Sequence, residues 1–237
     1  MTDPPAGPDY PCLDSTILIT FANSGDLRVL ASLFPTAFAP SAVIREEIEP
    51  HCRRYPANVL IMKGLDEGWL HEVPVTDPGD LLLVAWLRRF RFGTKSRDLG
   101  ETEVIALARH YGWIALLDDD EAKKFAEAPR KPTSIDDVAP DSGPRIPNVA
   151  MTTVIAAAAV YGHLTRKAAW DLHSRVYEAR GGFAPLTNWP NDRPIFDQAI
   201  EMLAAKRTAT PRSWPSFLAL PDLDDVIREA RRQVRGR

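Results

Sequence analysis

The sequence predicts an α/β fold, with a central parallel sheet between two layers of helices. Short apolar segments typical of strands alternate with segments whose apolar residues recur at helical spacing, which is the pattern of such folds. Trp113–Leu117 is wholly apolar, as expected of a parallel strand covered on both faces. Asp14 and the run Asp118–Asp120 directly follow two of the predicted strands. Because ligands bind beyond the carboxyl ends of parallel strands, these acids mark the expected site.

The first half of the chain holds three predicted strands and the helices that connect them. The strand Tyr10–Leu13 is followed by a tight turn at Asp14 and by a helix that includes Ile17–Ala22. Ser41 is a suitable N-cap for the helix after the second strand, which would run to Glu49, and Pro50 would end it. The remaining predicted elements of this half are the helix Leu27–Phe34, the strand Thr36–Pro40, the helix Val59–Glu67 and the strand Trp69–Val75.

The second half of the chain is predicted to be mainly helical. A helix over Gly100–Tyr111 ends at Gly112, a residue that commonly terminates helices. Further helices are predicted over 80–92, 121–128, 149–161 and 165–180, with a proline-containing connection over 129–147. The predicted organisation is a disordered N-terminus at 1–9, an α/β domain at 10–185 and a C-terminal helical extension at 186–237.

Composition and charge narrow the classes of function. Hydrophobic residues make up 45% of the chain and charged residues 26%, which is typical of a soluble globular protein. The net charge of −3 excludes a protein that coats nucleic acid through a broadly basic surface. With no membrane-spanning segment and no signal peptide in the sequence, a cytoplasmic protein is expected. Cys12 and Cys52 are expected to be free thiols, because two cysteines make neither a disulfide framework nor a zinc-ligand set.

Four segments place a carboxylate near the end of a strand or the start of a helix. They are Asp14, Glu46–Glu47, Glu101 with Glu103, and Asp118–Asp120. Each one alone has a structural explanation, as a helix cap or a solvated helix residue. Together they favour a shared pocket, in which repulsion between carboxylates requires a cation. Oxygen ligands with open positions for water suit Mg²⁺ or Mn²⁺, which activate water for phosphodiester hydrolysis.

The order and spacing of these segments resemble the PIN-domain family, named for the PilT N-terminus, which includes the VapC-like ribonuclease toxins. The supporting stretches are Cys12–Thr16 with Asn23, Pro40–Ile48, Leu99–Ala108, Leu116–Lys123 and Ala150–Leu172. The resemblance covers about residues 10–185 and implies a PIN-like three-layer α/β/α domain with a central parallel sheet. The chain departs from compact toxins in a basic stretch near 86–97 and in the tail after 185.

The resemblance also assigns roles to individual residues. The catalytic acids and metal ligands that it implies are Asp14, Glu47, Glu101 and one of Asp118, Asp119 and Asp120, with Asp119 the first choice. Glu101 matches the third acid of the family and ranks above Glu103. The two are not expected to reach the same metal, because residues two apart on a helix do not share a face. Thr16 and Asn23 would lie beside the substrate, and Thr16 (or Ser15) would supply a hydroxyl that supports the first acid.

A basic run precedes the third acidic segment. Its charged residues are Arg88, Arg89, Arg91, Lys95 and Arg97, interleaved with Phe90 and Phe92. One interpretation is a strip that binds phosphates and stacks bases beside the active site. The alternative is an amphipathic helix with a solvated basic face and buried phenylalanines.

The sequence therefore favours a Mg²⁺- or Mn²⁺-dependent endoribonuclease that hydrolyses RNA phosphodiester bonds. The resemblance allows it to be the toxin of a toxin–antitoxin pair, with a small antitoxin protein as partner and a homodimer as its assembly. The alternative is a catalytically inactive PIN-like module that binds RNA or regulates a partner. A phosphatase of the haloacid-dehalogenase type is disfavoured, because Thr16 occupies the position of that family's second aspartate.

Overall fold

The computed structural model of the protein describes residues 3–91, 99–118, 122, 126, 148–149, 151–179, 192–206 and 223–236. These residues belong to two compact units, Met1–Val149 and Ala150–Arg237. The predicted α/β domain includes the two helices at 149–161 and 165–180, whereas the first unit of the structure ends at Val149. The predicted connection over 129–147 lies outside the described residues.

The first unit is built on a five-stranded parallel sheet. Its strands are β1 (Pro11–Leu13), β2 (Ala37–Pro40), β3 (Leu70–Val73), β4 (Ile114–Leu116) and β5 (Asn148–Val149). They are arranged in the order β3-β2-β1-β4-β5, and every neighbouring pair is parallel. In the central strand β1, Leu13 is paired with Leu116 of β4, and Cys12 is paired with Phe38 of β2. The predicted parallel sheet is therefore confirmed.

Helices cover both faces of this sheet. The α-helices described in the first unit are α1 (Ser15–Asn23), α2 (Leu27–Leu33), α3 (Pro56–Asp66), α4 (Pro78–Arg91) and α5 (Leu99–Tyr111). α1 packs against α3, and α4 packs against α5. Because parallel strands need crossover connections, helices come to lie on the two faces and bury the sheet between them. This is the three-layer α/β/α architecture that the sequence predicts.

The core of the first unit is apolar and dense around β4. Ile114 and Leu116 are fully buried, and so is Trp113, which precedes the strand. The indole ring of Trp113 stacks on Phe38 with 4.2 Å between ring centroids and on Tyr111 with 4.4 Å. This aromatic stack joins β4 to β2 and fixes the central strands that carry the acidic residues at their carboxyl ends.

The segment after β2 differs from the predicted α-helix. Val43–Ile48 forms a π-helix, in which the N–H of Glu49 donates to the carbonyl oxygen of Ile44, five residues earlier. A single turn of 3₁₀-helix follows at Glu49–His51, so Pro50 lies inside the helical segment instead of ending it. At the start of the 3₁₀ turn the missing N–H of proline has no cost. π-Helical turns are rare and occur frequently at functional sites.

The N-terminal segment also differs from the prediction of disorder over residues 1–9. The indole Nε1 of Trp113 donates to the carbonyl oxygen of Pro5 at 2.7 Å. The backbone N–H of Gly7 donates to the carbonyl oxygen of Tyr111 at 2.8 Å. These two hydrogen bonds hold the segment against the end of α5, an interaction that its polar, proline-rich composition does not reveal.

The second unit is helical throughout its described residues. Its helices are α6 (Met151–Val160), α7 (Arg166–Ala179), α8 (Arg193–Lys206) and α9 (Leu223–Arg235). α8 packs against the other three helices, and its Phe196 stacks on the buried His173 of α7 with 5.1 Å between ring centroids. α8 and α9 lie in the region that the sequence predicted only as a helical extension. In the described parts of the chain, no helix is both long and apolar enough to cross a bilayer.

Candidate active site

Asp14 stands at the carboxyl end of the central strand and is 2% exposed. It is the N-cap of α1, and its Oδ2 accepts a hydrogen bond from the backbone N–H of Thr16 at 3.1 Å. Its own N–H donates to the carbonyl oxygen of Leu116 at 3.2 Å, which ties the residue to β4. Asp14 therefore caps α1, which is the structural explanation for this acid. Its carboxylate also lies at the sheet edge where ligands bind in parallel sheets.

Asp118 follows β4 by two residues and is 4% exposed. Since β4 is the direct neighbour of β1 and parallel to it, Asp14 and Asp118 follow their strands at the same edge of the sheet. Burial of two carboxylates near each other is unfavourable unless a cation compensates their charge. Carboxylate oxygens are the ligands that Mg²⁺ and Mn²⁺ prefer, so this pair of residues fits a divalent cation.

Glu47 lies on the π-helix that follows β2. Its side chain is half-buried, whereas that of the neighbouring Glu46 is exposed. Glu47 lies against the start of α5, because a β-carbon built on Gly100 would be 2.5 Å from Glu47 Oε1 and 2.8 Å from Val43 Cγ2. Only glycine fits at position 100 without displacing one of these groups. The contact places Glu47 beside the first turn of α5, which carries Glu101.

Glu103 has a defined contact that sequence reasoning did not foresee. Its Oε2 accepts a hydrogen bond from the backbone N–H of Ala42, the N-cap of the π-helix, at 3.2 Å. Burial raises the pKa of the Glu103 carboxyl and Glu46 raises it further, while the Ala42 hydrogen bond and Arg88 oppose this shift. Glu103 thus joins α5 to the helical segment that carries Glu47, which is a positioning role. No local sequence signal identifies it, since the partners are 61 residues apart.

The thiol of Cys12 lies in the central strand. It is fully buried in β1, and its pKa is raised by burial first, and then by the charges of Asp14 and Glu103. The charges of Asp14 and Glu103 thus add to the effect of burial on this thiol. Cys12 and Cys52 are both free thiols, as the sequence predicts.

A comparison with protein-family models decides the family. The model described as a PIN domain matches residues 11–130, which is half of the chain. The chain belongs to the PIN-domain family. No curated protein and no solved structure matches it. PIN domains are typically nucleases and generally use divalent metal ions, so membership indicates a nuclease with a divalent-metal site.

Some of the predicted metal ligands and substrate contacts of the PIN domain lie outside the described residues. These are Asp119, Asp120, Lys95 and Arg97, together with the side chain of Arg91, the last residue of α4. Glu101 lies in the first turn of α5 and is half-buried. The structure thus places Asp14 and Asp118 after two adjacent strands of the sheet, and Glu47 against Gly100, the residue that precedes Glu101 on α5.

Two predicted substrate contacts of the PIN domain lie on α1. Thr16 is exposed in the first turn, while Ser15 is buried. Asn23 is exposed at the last residue of α1 and lines the same small cavity as Glu47. Of the basic run on α4, Arg88 is half-buried and Arg89 is exposed. The charge of Arg88 lowers the pKa of Glu103, against the larger effect of burial.

A second group of possible ligands lies elsewhere in the PIN domain. Among the described residues, Asp77, Asp80 and His110 form a group of three whose ligand atoms lie within 4.8 Å of one another; the predicted acids are not gathered that closely. Asp77 Oδ1 accepts hydrogen bonds from the N–H groups of Gly79 at 2.9 Å and Asp80 at 3.1 Å, which caps α4. Asp80 Oδ2 contacts His110 Nδ1 at 2.6 Å. These contacts give the group a structural explanation, the attachment of α4 to α5.

Proposed function

We propose that this PIN domain is a metal-dependent endoribonuclease that hydrolyses RNA phosphodiester bonds. The proposed catalytic acids are Asp14, Glu47, Glu101 and Asp119, with Asp118 and Asp120 as further ligands of the metal. The observation that supports the proposal best is the burial of Asp14 and Asp118 at the ends of two adjacent parallel strands. A protein that only binds RNA would gain nothing from two repelling carboxylates at this position.

The described contacts explain how the protein would orient these acids for metal binding. The N–H of Thr16 orients the carboxylate of Asp14, and the hydrogen bond from Ala42 to Glu103 anchors the start of the π-helix. The close contact at Gly100 limits the positions that Glu47 can adopt. When bound, Mg²⁺ or Mn²⁺ would activate a water molecule and stabilise the charge that develops on the phosphate.

The proposed substrate contacts are those that the sequence indicates. Thr16 and Asn23 would contact the RNA along α1, and Arg88, Arg89, Arg91, Lys95 and Arg97 would bind phosphates. The support for Arg88, Arg89 and Arg91 is their position on α4, which packs against the helix that carries Glu101. Arginine and lysine contacts of this kind position a nucleic acid without reading its sequence.

The resemblance to VapC-like ribonucleases extends the proposal to a toxin that acts in the cytoplasm as a homodimer and is inhibited by a small antitoxin. Co-expression with any small protein that a neighbouring reading frame encodes, followed by affinity purification and a cleavage assay, tests this part. Co-purification with loss of cleavage supports a toxin. Independent purification, with cleavage unchanged by that protein, contradicts it.

Cleavage of a mixed, end-labelled RNA pool tests the nuclease. The purified protein is assayed with Mg²⁺, with Mn²⁺ and with EDTA, beside the variants Asp14→Asn and Glu101→Gln and the control Lys63→Ala, an exposed residue of α3. Cleavage that requires metal, disappears in both acidic variants and persists in the control supports the proposal. RNA binding without cleavage under any condition would instead favour the inactive module.

A further inference from the structure

A small cavity opens beside Glu47. Its volume is about 180 Å³, and its lining residues come from α1, the π-helix, the 3₁₀ turn and the start of α3. They are Ile19, Asn23, Glu47, His51, Tyr55 and Asn58. Pockets that enclose whole small molecules measure roughly 300–1,000 Å³, so this cavity fits one planar group the size of a nucleobase. Because Glu47 is part of the wall, an occupant would lie next to the proposed active site.

Tyr55 supplies an exposed aromatic ring at this cavity. Its exposed fraction is 45%, which is high for a large hydrophobic side chain. The His51 ring lies 6.2 Å away, edge to face, and the guanidinium of Arg54 lies 5.3 Å from the Tyr55 ring centroid. An aromatic ring beside a cationic side chain such as Arg54 is the arrangement on which single-stranded nucleic acids stack their bases.

The position of Tyr55 in the fold does not require an aromatic residue. Tyr55 is the N-cap of α3, where Ser, Thr, Asp and Asn stabilise a helix best, and its side chain makes no capping hydrogen bond. Pro56 already favours the start of the helix at its first position. The ring therefore contributes neither to capping nor to a buried core, which leaves binding as the function that explains it.

Amide side chains line the same cavity. Asn58 is 2% exposed, and its Nδ2 donates to the carbonyl oxygen of Ile48 at 2.8 Å, which holds α3 against the end of the π-helix. Asn23 is exposed at the end of α1 and also lines the cavity. Amide groups can donate to and accept from the edges of an unstacked base. The cavity thus offers both stacking and hydrogen bonding.

We propose that this cavity binds one nucleobase of single-stranded RNA, which stacks on Tyr55 while Arg53 and Arg54 contact the flanking phosphates. The proposal rests on the proposed nuclease function, because it makes the cavity the place that selects the nucleotide next to the cleaved bond. Arg53 and Arg54 are both exposed, and the nearby Glu49 is paired with Arg45 at 2.9 Å. Positive charge at the cavity mouth is therefore available to phosphates.

The test measures binding separately from cleavage. In an Asp14→Asn background, a short single-stranded RNA that contains 2-aminopurine is titrated with protein, and both affinity and fluorescence are recorded. Stacking on Tyr55 should quench the fluorophore. Tyr55→Ala should remove the quenching and weaken binding by about 5- to 100-fold, whereas Tyr55→Phe should retain both. Arg54→Ala should weaken binding and reduce the slope of log K against log salt by about 0.7.

Matched controls remove a similar side chain from another surface. Leu81→Ala removes an exposed apolar side chain on α4, and Arg28→Ala removes an exposed arginine on α2. Both should bind the RNA like the parent protein. The inference is overturned if Tyr55→Ala binds and quenches like the parent, or if the two controls weaken binding as strongly as Tyr55→Ala does.

Cleavage by the wild-type protein separates the two proposals. If the wild type does not cleave RNA but quenching depends on Tyr55, the nuclease proposal fails and the base site stands. If the wild type cleaves RNA with metal but Tyr55→Ala has unchanged binding, cleavage rate and cleavage pattern, the base site fails and the nuclease stands.

Discussion

The backbone of Gly100 lies directly against the carboxylate of Glu47. A β-carbon at position 100 would be 2.5 Å from Glu47 Oε1, a distance that real β-carbons do not adopt. A side chain at position 100 would therefore require Glu47 and Val43 to shift. This contact connects the acid of the π-helix to the helix that carries Glu101, and it makes the geometry of the proposed site sensitive to a single methyl group.

Gly100→Ala should reduce metal-dependent RNA cleavage by at least about tenfold, because the added methyl group displaces Glu47. In an exposed helix interior, replacing glycine by alanine would stabilise the protein by about 1 kcal/mol. Here the clash offsets that gain. Cleavage rates measured under single-turnover conditions, with thermal unfolding as the measure of stability, test this prediction.

Gly64→Ala is the control for that experiment. Gly64 is also a helical glycine against a side chain, since a β-carbon there would lie 2.9 Å from the indole ring of Trp69. The substitution should lower stability by about 1–3 kcal/mol and leave cleavage by the folded protein unchanged. Equal loss of cleavage in both glycine variants would contradict the specific role assigned to Gly100.

Glu103→Ala should destabilise the protein by about 1–3 kcal/mol, because it leaves the buried N–H of Ala42 without its acceptor. Glu103→Gln keeps an acceptor oxygen and should lose less stability. Cleavage should fall less in Glu103→Gln than in Glu101→Gln, since the first residue positions the π-helix and the second is a proposed metal ligand. Urea unfolding and cleavage assays of the three variants test the ranking. A Glu103→Gln variant as inactive as Glu101→Gln would make Glu103 the third acid.

The fold was predictable because its signals are local. The apolar run of β4 and the acids after β1 and β4 are adjacent in sequence, so hydrophobic pattern alone places Asp14 and Asp118 at one edge. The π-helix was not predictable, since the apolar residues of Val43–Ile48 fit an α-helix equally well. The acids after β1 and β4 and the π-helix all contribute to the proposed site. Only the positions of the two acids follow from a short-range rule.

Contacts between distant residues explain the other differences. The hydrogen bond between Ala42 and Glu103 spans 61 residues, and that between Trp113 and Pro5 spans 108. Neither leaves a pattern in the sequence, because the donor in the first is a backbone group and the acceptor in the second is a carbonyl oxygen that any residue carries. The order and spacing of the acidic segments, which place Glu101 above Glu103, contain no information about the contact between Glu103 and Ala42.

His110→Ala should destabilise the protein by about 1–2 kcal/mol and leave cleavage unchanged. His110 contacts the buried Asp80 at 2.6 Å and attaches α5 to α4. Loss of this contact weakens the packing of two helices without touching the proposed acids. Thermal unfolding should show the same difference in stability between His110→Ala and the wild type in EDTA as in Mg²⁺. A difference that appears only with metal would contradict the structural role of this group.

The two cysteines should differ sharply in their reaction with a thiol reagent. Cys12 is fully buried, and its pKa is raised well above the ordinary value of 9.0, so it should react only after unfolding. Cys52 is half-buried, and burial and Glu49 raise its pKa above 9.0. Since the thiolate is the reactive form, Cys52 should react more slowly than a free cysteine at pH 8, and its rate should keep rising above pH 9.

Labelling of the native protein at several pH values, with and without denaturant, checks both expectations. Cys52→Ser should abolish labelling of the folded protein and leave a single reactive thiol after unfolding. Rapid labelling of Cys12 in the native protein would show that β1 is more accessible than the structure indicates.

Direct measurement of Mn²⁺ binding tests the central claim, that the acids at the sheet edge hold the metal. Electron paramagnetic resonance of free Mn²⁺ would be compared for the wild type, Asp14→Asn, Asp118→Asn and Asp77→Asn, the last of which alters the other group of possible ligands. We expect the wild type and Asp77→Asn to bind Mn²⁺ alike, and each of the other two variants to bind at least about tenfold more weakly. Unchanged binding in Asp14→Asn and Asp118→Asn, with loss of binding in Asp77→Asn, would contradict the account.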